Sequence, residues 1–284
     1  MQVTVLFSLL ISMHKAWSFN LRILGGEDAS ESDYPYVVKI MSIYAGAPPR
    51  DTDRVIERKH VCTGAVLTQT WTLTAGHCVG AANRLVEKDV VRKNVIWAAS
   101  VATPASAGAQ NSSGIIVDIK AFHKHPAFKD LTFTGKTYLE NNVAMVHTDP
   151  LVLKEYVKVS AIDYGGLLGH EAKSIGYGVS SNRSRRIDNK PLQVLPVILV
   201  ECPKGTGIYP VVCAASRCST QRPVLCGPDG GGPLIHPAGL IAITSWNPEK
   251  DCYVPLRSRR PDTGKLTPIS PYLTWITSHI ISAR

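Results

Sequence analysis

The sequence lacks several features that would assign it to a special class. Its longest apolar run, residues 3–13, has about eleven residues, whereas a helix that spans a bilayer needs about twenty. Its seven cysteines include no Cys-x-x-Cys pair, so neither a zinc ribbon nor a redox dithiol is expected. Repeats and low-complexity stretches are absent as well. With 44% hydrophobic and 19% charged residues, the chain can build a sizeable core, which excludes an intrinsically disordered protein.

The apolar run at the amino terminus has the features of a secretory signal peptide. It is followed at residues 16–18 by a small-x-small triplet, which is typical of a signal peptidase site. A buried core strand is the alternative interpretation, and no Lys or Arg precedes the run. We expect residues 1–18 to be removed and the protein to be secreted. In that compartment the cysteines form disulfides, and the sequons at Asn111 and Asn182 are glycosylation sites.

Positive charge exceeds negative charge along the chain. The sequence has 31 Lys and Arg against 22 Asp and Glu, which gives a formal net charge of +9. Basic residues cluster at 50–59, 183–186 and 257–260. Solvated loops are the ordinary interpretation of such clusters, and a polyanion site is the alternative. No nucleic-acid-binding motif accompanies them, so nucleic acid is not an expected partner.

Strand-like segments recur without long helical periodicity. They are separated by Gly, Pro, Asn and Asp and lie at residues 36–41, 61–67, 71–73, 114–119, 143–147, 192–200, 208–212 and 240–245. Short strands between turn signals predict an antiparallel barrel or sandwich. Only residues 271–282 are predicted as a helix, because a proline near the start precedes an apolar stripe formed by Leu273, Ile276 and Ile280.

Four motifs occur in a characteristic order: RILGG at residues 22–26, LTAGHC at 73–78, CGPDGGGPL at 226–234 and TSW at 244–246. Together with CTGAVL at 62–67, GYG at 176–178 and SPYLTWI at 270–276, they resemble the trypsin/chymotrypsin-like serine protease family. The resemblance extends from residue 23 to the carboxyl terminus. The last of these segments and the short propeptide resemble those of invertebrate members, in particular insect ones.

The resemblance implies a fold and a domain organisation. The fold is all-β, with two antiparallel six-stranded β-barrels, a site in the cleft between them and a C-terminal helix. The domain organisation is a signal peptide at 1–18, a short propeptide at 19–22 and a trypsin-like domain at 23–284. By position, the resemblance also implies three disulfides, namely Cys62–Cys78, Cys202–Cys213 and Cys226–Cys252. Cys218 is left over, as a buried free thiol or, alternatively, as one half of an intermolecular bond.

Peptide hydrolysis of this type needs a nucleophilic hydroxyl, a histidine base, a carboxylate that orients the base, and backbone N–H groups that bind the oxyanion. In the resemblance, His77 matches the base. Asn142 stands where the family has Asp, and Gly230 stands where it has Ser. Pro228 and Gly230 occupy the oxyanion-hole positions, and Pro228 has no N–H to donate. Because glycine has no side chain that can attack a carbonyl, we expect a member without catalytic activity.

The specificity pocket departs from the trypsin pattern. Its positions match Val224, Ser245 and Asn247 in this sequence. Val224 stands where trypsin-like members carry the aspartate that binds Lys or Arg side chains. We therefore do not expect a pocket for basic side chains.

The family's activation switch is retained in sequence. Arg22 and Ile23 match the cleavage site, and Asp229 matches the residue that pairs with the freed ammonium of Ile23. A buried charge persists when its partner is present, since a lone buried charge is costly. Two interpretations stay open. The residues are either inherited relics or a conformational switch that works without catalysis.

The expected function is therefore that of a secreted, zymogen-like serine protease homologue that acts by binding proteins, as a cofactor, a decoy or a regulator in an extracellular proteolytic pathway. The expected partners are extracellular proteins such as proteases or protease inhibitors. We expect no cofactor, no metal and no membrane span. The alternatives are a serine endopeptidase by descent with residual activity, and a polyanion- or glycan-binding module that uses the basic loops.

Overall fold

The computed structural model describes residues 26–45, 56–86, 91–99, 114–131, 138–178, 192–216, 229–245 and 263–282. Several predictions fall outside these residues: the signal peptide, the propeptide, both sequons, Cys218, the Cys226–Cys252 pair, and the basic clusters at 183–186 and 257–260. Among the described residues, no helix combines the length and the apolar character that crossing a bilayer requires.

Strands dominate the described residues. In chain order they are β1 (Glu27–Asp28), β2 (Val37–Ala45), β3 (Ile56–Val66), β4 (Trp71–Thr74), β5 (Val91–Ala98), β6 (Ile115–Lys124), β7 (Lys129–Asp130), β8 (Leu139–Glu140), β9 (Ala144–Thr148), β10 (Glu171–Gly176), β11 (Gln193–Val200), β12 (Ile208–Tyr209), β13 (Val212–Ser216), β14 (Pro233–His236), β15 (Gly239–Thr244) and β16 (Gly264–Pro268). The helices are α1 (Gly76–Val86) and α2 (Leu273–Ile281), and 3-10 turns cover Tyr164–Gly166 and Ser270–Tyr272.

The first barrel is built from the amino-terminal half of the chain. It closes in the order β2-β3-β4-β9-β6-β5, and every neighbouring pair is antiparallel. Side chains alternate between the two faces of a strand, so Val38 and Ile40 of β2 both point to one side and are fully buried. They join Leu73, Ile96 and Met145 in the core of this barrel.

The second barrel is built from the carboxyl-terminal half. Its strands follow the order β11-β10-β14-β15-β16-β13, and the pairing of β11 with β13 closes the ring. β11 shows the period of two clearly, because Leu195, Val197 and Leu199 are buried and the residues between them are more exposed. The prediction of two six-stranded antiparallel barrels with a C-terminal helix is confirmed.

The helices differ in part from the prediction. Residues 271–282 were expected to form one helix, and the chain instead makes a 3-10 turn over Ser270–Tyr272 before α2 begins. The prediction of a single helix was wrong, because α1 forms directly after β4. Gly76 and Gly80 lower the helix propensity of this segment, so the sequence gives little sign of the helix. Packing compensates for the low helix propensity of α1, since Val79 and Ala82 are buried and a disulfide anchors the first turn.

Two predicted disulfides are confirmed. Cys62 of β3 is bonded to Cys78 of α1, and Cys202 is bonded to Cys213 of β13. The first bond ties α1 to the first barrel, and the second closes the loop between β11 and β13. Removing a native disulfide from a domain typically costs about 2–4 kcal/mol, so each bond is a substantial part of the stability.

A buried lysine lies between the barrels. Lys39 of β2 is 3% exposed, and its Nζ lies 4.3 Å from the ring centre of Trp97 and 4.4 Å from that of Tyr177. The Tyr177 hydroxyl donates to the Val37 carbonyl at 3.3 Å. Trp97 belongs to the first barrel, whereas Tyr177 follows β10 of the second. A desolvated cation over an aromatic face contributes about 2 kcal/mol, so this contact helps to fix the barrels against each other.

β1 and α2 each pack against the barrel that is more distant from them in sequence. β1 precedes the first barrel but pairs with β11 of the second, and the Gln193 side-chain amide donates to the Asp28 carboxylate. α2 follows the second barrel but packs its Trp275 and His279 on rings of the first. β1 and α2 therefore cross between the barrels.

Three imidazoles surround Trp71 where α2 meets the first barrel. The ring centre of Trp71 lies 4.7 Å from that of His147, 5.4 Å from that of His123 and 5.5 Å from that of His279. We call these four residues the histidine cluster. Burial, then His279, then His147 lower the pKa of His123, and burial lowers the pKa of neighbouring His125.

We expect the stability of the protein to fall at mildly acidic pH. A histidine whose pKa is lowered by folding binds its proton more readily in the unfolded chain. The free energy of unfolding should thus be highest above about pH 6.5, decrease below the unfolded histidine pKa, and level off below the folded one. Urea unfolding between about pH 8 and pH 5 measures this. The variant His123→Asn should flatten the profile, and a flat profile in the unmodified protein would contradict the prediction.

Candidate active site

His77 lies where β4 passes into α1. It occupies the first turn of α1, where backbone N–H groups have no partner within the helix. Its backbone N–H donates instead to Asn142 Oδ1 at 2.9 Å. The neighbouring Cys78 carries the disulfide to Cys62, so the position of this turn is fixed covalently. The His77 residue is 8% exposed.

Asn142 precedes β9 and is fully buried. Its amide orientation follows from its contacts, because the His77 backbone N–H can only donate, and the atom that it meets must be Oδ1. Nδ2 then faces the second barrel and donates to the Ser245 hydroxyl at 2.6 Å. The Nδ1 atom of His77 lies 3.2 Å from Oδ1 and 3.0 Å from Nδ2. The predicted pair of His77 and Asn142 is therefore in direct contact.

An amide beside the imidazole changes the chemistry of His77. A carboxylate only accepts hydrogen bonds, so it would hold the proton on Nδ1 and stabilise an imidazolium. The Asn142 amide can accept from Nδ1 or donate to it, and it carries no charge to stabilise an imidazolium. The other ring nitrogen, Nε2, lies 3.6 Å from Cys78 Sγ. This arrangement lacks the negative charge of a general-base dyad.

The described part of the glycine-rich loop, residues 229–232, lies against the first barrel. The Gly230 carbonyl accepts from the Thr63 N–H at 2.9 Å. The Gly231 N–H donates to the Thr244 carbonyl at 2.7 Å, and the Thr244 N–H donates to the Gly232 carbonyl at 2.8 Å. Gly231 has a φ of +80°, and a Cβ there would lie 2.1 Å from Thr74 Oγ1. Only glycine fits, so the loop is held in close contact with β3 and β4.

Asp229 is buried directly before Gly230. It is 1% exposed, and its Oδ1 accepts from the Gly178 N–H at 2.7 Å. A Cβ on Gly176 would lie 2.5 Å from the same oxygen, so glycine at 176 makes room for the carboxylate. Arg22, Ile23 and Pro228 lie outside the described residues, so their predicted roles stay predictions.

Ser245 joins the site in a way that its sequence position did not reveal. It was predicted to line the specificity pocket, and the structure places it, fully buried, against the amide of Asn142. Because this hydroxyl is enclosed and bonded to an amide, it offers no accessible nucleophile. The other two pocket positions, Val224 and Asn247, lie outside the described residues.

Cysteine and histidine atoms also meet at this site. The ligand atoms of Cys62, His77 and Cys78 lie within 4.8 Å of one another. The two sulfurs are bonded to each other, so neither is a thiolate that could bind a metal. The cluster is therefore a disulfide beside a histidine.

Comparisons with known proteins identify the family. Granzyme M from Homo sapiens is 24% identical over 279 residues, covering 91% of this chain and 89% of that protein. Trypsin 5G1 from Aedes aegypti is 22% identical over 235 residues, covering 79% of this chain and 75% of that protein. The family model described as Trypsin matches residues 23–276. Because that match spans most of the sequence, the chain belongs to the trypsin family.

Proposed function

We propose that this chain is a secreted member of the trypsin family that does not hydrolyse peptides and acts by binding other proteins. The observation that carries the proposal is Gly230. It follows the buried Asp229 in the loop that lies against β3 and β4, where the family resemblance puts the nucleophile. A glycine there supplies no oxygen for an acyl-enzyme.

The surroundings of His77 support the proposal independently. The family position of the orienting carboxylate is Asn142, whose contacts with His77 and Ser245 occupy its amide group. Replacing that Asp by Asn costs a serine protease about 10⁴ in rate even when the nucleophile is present. By the family resemblance, two described residues, Asn142 and Gly230, thus replace catalytic groups, and Pro228 is a third replacement in sequence.

The framework of the fold supports a binding role. The two barrels, the two described disulfides and the closely packed glycine loop all keep the shape of a protease. The relatives are named granzyme and trypsin, so proteins that recognise such enzymes are the natural candidates for partners. Protease inhibitors and the proteases of an extracellular pathway have that recognition chemistry.

The test uses purified protein whose chain begins at Ile23. We expect no labelling by a fluorophosphonate probe and no cleavage of a broad peptide library, under conditions in which an active trypsin reacts fully. In parallel, surface plasmon resonance against a panel of folded protease inhibitors and proteases should show reversible binding. Covalent labelling of any residue in the cleft would overturn the proposal, as would a protein that binds no member of the panel.

A further inference from the structure

A cavity of about 290 Å³ lies next to the histidine cluster, away from the site of His77. It is lined by Trp71, His123, Ser278, His279 and Ser282. Two of these residues belong to strands of the first barrel, and the other three lie on α2 or at its end. The cavity therefore lies at the contact between α2 and the first barrel.

On the helix side of the cavity, the hydroxyl protons of Ser278 and Ser282 are both donated to backbone carbonyls. The Ser278 hydroxyl donates to the Trp275 carbonyl at 2.7 Å, and the Ser282 hydroxyl donates to the Ser278 carbonyl at 2.6 Å. Each hydroxyl has one proton, so both oxygens have only lone pairs left to offer. On the helix side, these two hydroxyl groups therefore offer electron pairs to a ligand.

The imidazole of His279 likewise donates its proton to a backbone carbonyl. Its Nδ1 lies 2.9 Å from the Trp275 carbonyl, which can only accept, so Nδ1 carries the proton. The lone pair of the neutral ring is then on Nε2. A backbone carbonyl that holds the Nδ1 proton is the usual support for a histidine that binds a metal through Nε2.

His123 supplies a second imidazole at a suitable distance. The ring centres of His123 and His279 are 5.2 Å apart, and the rings are inclined by 68°. Two imidazoles that bind one tetrahedral ion with bonds of about 2.0–2.1 Å have ring centres about 5 Å apart.

We propose that this cavity binds a divalent transition-metal ion of the zinc class, with His123 and His279 as its two protein ligands. Water fills the remaining positions of the ion. Because His123 lies on β6 and His279 on α2, the ion links the C-terminal helix to the first barrel. The inference does not depend on the proposed function.

A second histidine pair provides a matched control. His170 Nδ1 and His236 Nε2 are 3.3 Å apart on the second barrel. The Ala238 N–H donates to His236 Nδ1 at 3.2 Å, so the proton of that ring is on Nε2 and is donated to His170. This pair is hydrogen-bonded to itself, and its lone pair is not directed at a metal.

Isothermal titration of the untagged protein with zinc chloride at about pH 7.5 tests the proposal. We expect one ion to bind, and the variants His279→Asn and His123→Gln to bind it at least about tenfold more weakly. Asn at 279 can still donate an amide proton to the Trp275 carbonyl, so this variant keeps the structural contact and loses Nε2. The control His170→Asn should bind as the unmodified protein does.

A second readout is the thermal unfolding midpoint. It should rise on adding zinc and return when EDTA is added, because an ion that binds only the folded state stabilises it. The rise should disappear in His279→Asn and persist in His170→Asn. Absence of zinc binding in the unmodified protein, equal affinity in His279→Asn, or loss of binding in His170→Asn would each overturn the proposal.

Discussion

Restoring a serine alone is expected to leave this protein without measurable peptidase activity. The variant Gly230→Ser regains the hydroxyl, but His77 still faces the amide of Asn142, and Pro228 still lacks an N–H. The first defect costs about 10⁴ in rate and the second about 10²–10³, although the two factors need not multiply because the groups act as a unit. The triple variant Gly230→Ser/Asn142→Asp/Pro228→Gly should exceed the single variant by at least about 10⁴.

The rate of fluorophosphonate labelling and the turnover of chromogenic peptides measure this difference, on protein with a free Ile23 terminus. The double variant Asn142→Asp/Pro228→Gly, which keeps Gly230, is the control and should stay inactive. Activity in the double variant would show that Gly230 is not at the nucleophile position. Equal activity in the single and triple variants would show that Asn142 and Pro228 have been assigned the wrong roles.

The second large effect concerns the stability of the glycine loop. We expect Gly231→Ala to lower the free energy of unfolding by about 2–5 kcal/mol, the sum of left-handed backbone strain and overpacking. The added Cβ would lie 2.1 Å from Thr74 Oγ1 and 2.4 Å from the Thr63 carbonyl oxygen. Since that oxygen belongs to the backbone of β3, it cannot move without disturbing the first barrel. Chemical denaturation of the two proteins gives the difference directly.

Gly169→Ala separates the two causes. Gly169 has a φ of +81°, almost the same as Gly231, but a Cβ there meets nothing within 4 Å. This control should therefore lose only the conformational part, about 1–2 kcal/mol. If both variants lose the same amount, the loop is not in close contact with β3 and β4, and the glycine at 231 is explained by its backbone angle alone.

The local strand signals predict an antiparallel barrel or sandwich, and the family resemblance narrows this to two six-stranded barrels. Short strands with buried alternate residues, as in β11, are separated by turn-forming residues, and the family motifs pair the cysteines by position. α1 was not predicted, since its two glycines weaken the helical signal and its stability comes from a disulfide and burial. The hydrogen bond between Asn142 and Ser245 joins different barrels, so no local pattern could reveal it.

The histidine cluster also depends on contacts between distant parts of the sequence, so sequence patterns alone do not predict it. His123 and His279 lie in different halves of the chain, and no sequence motif joins the two. Folding of α2 onto the first barrel brings their rings to 5.2 Å, and the proton on Nδ1 of His279 is fixed only by the helical carbonyl of Trp275. Such a pair can be found only after the long-range packing is known.

The crossing of β1 and α2 between the barrels has a consequence for biosynthesis. The first barrel leaves the ribosome long before α2, the helix that packs on Trp71, because the whole second barrel is translated in between. Domains commonly fold as they emerge, starting from the amino terminus. Here the Trp71 face of the nascent first barrel stays exposed until α2 is translated, and β1 stays unpaired until β11 is translated. The packing of the first barrel is therefore completed only after α2 has been translated, and a chain truncated before α2 would expose this aromatic face to chaperones.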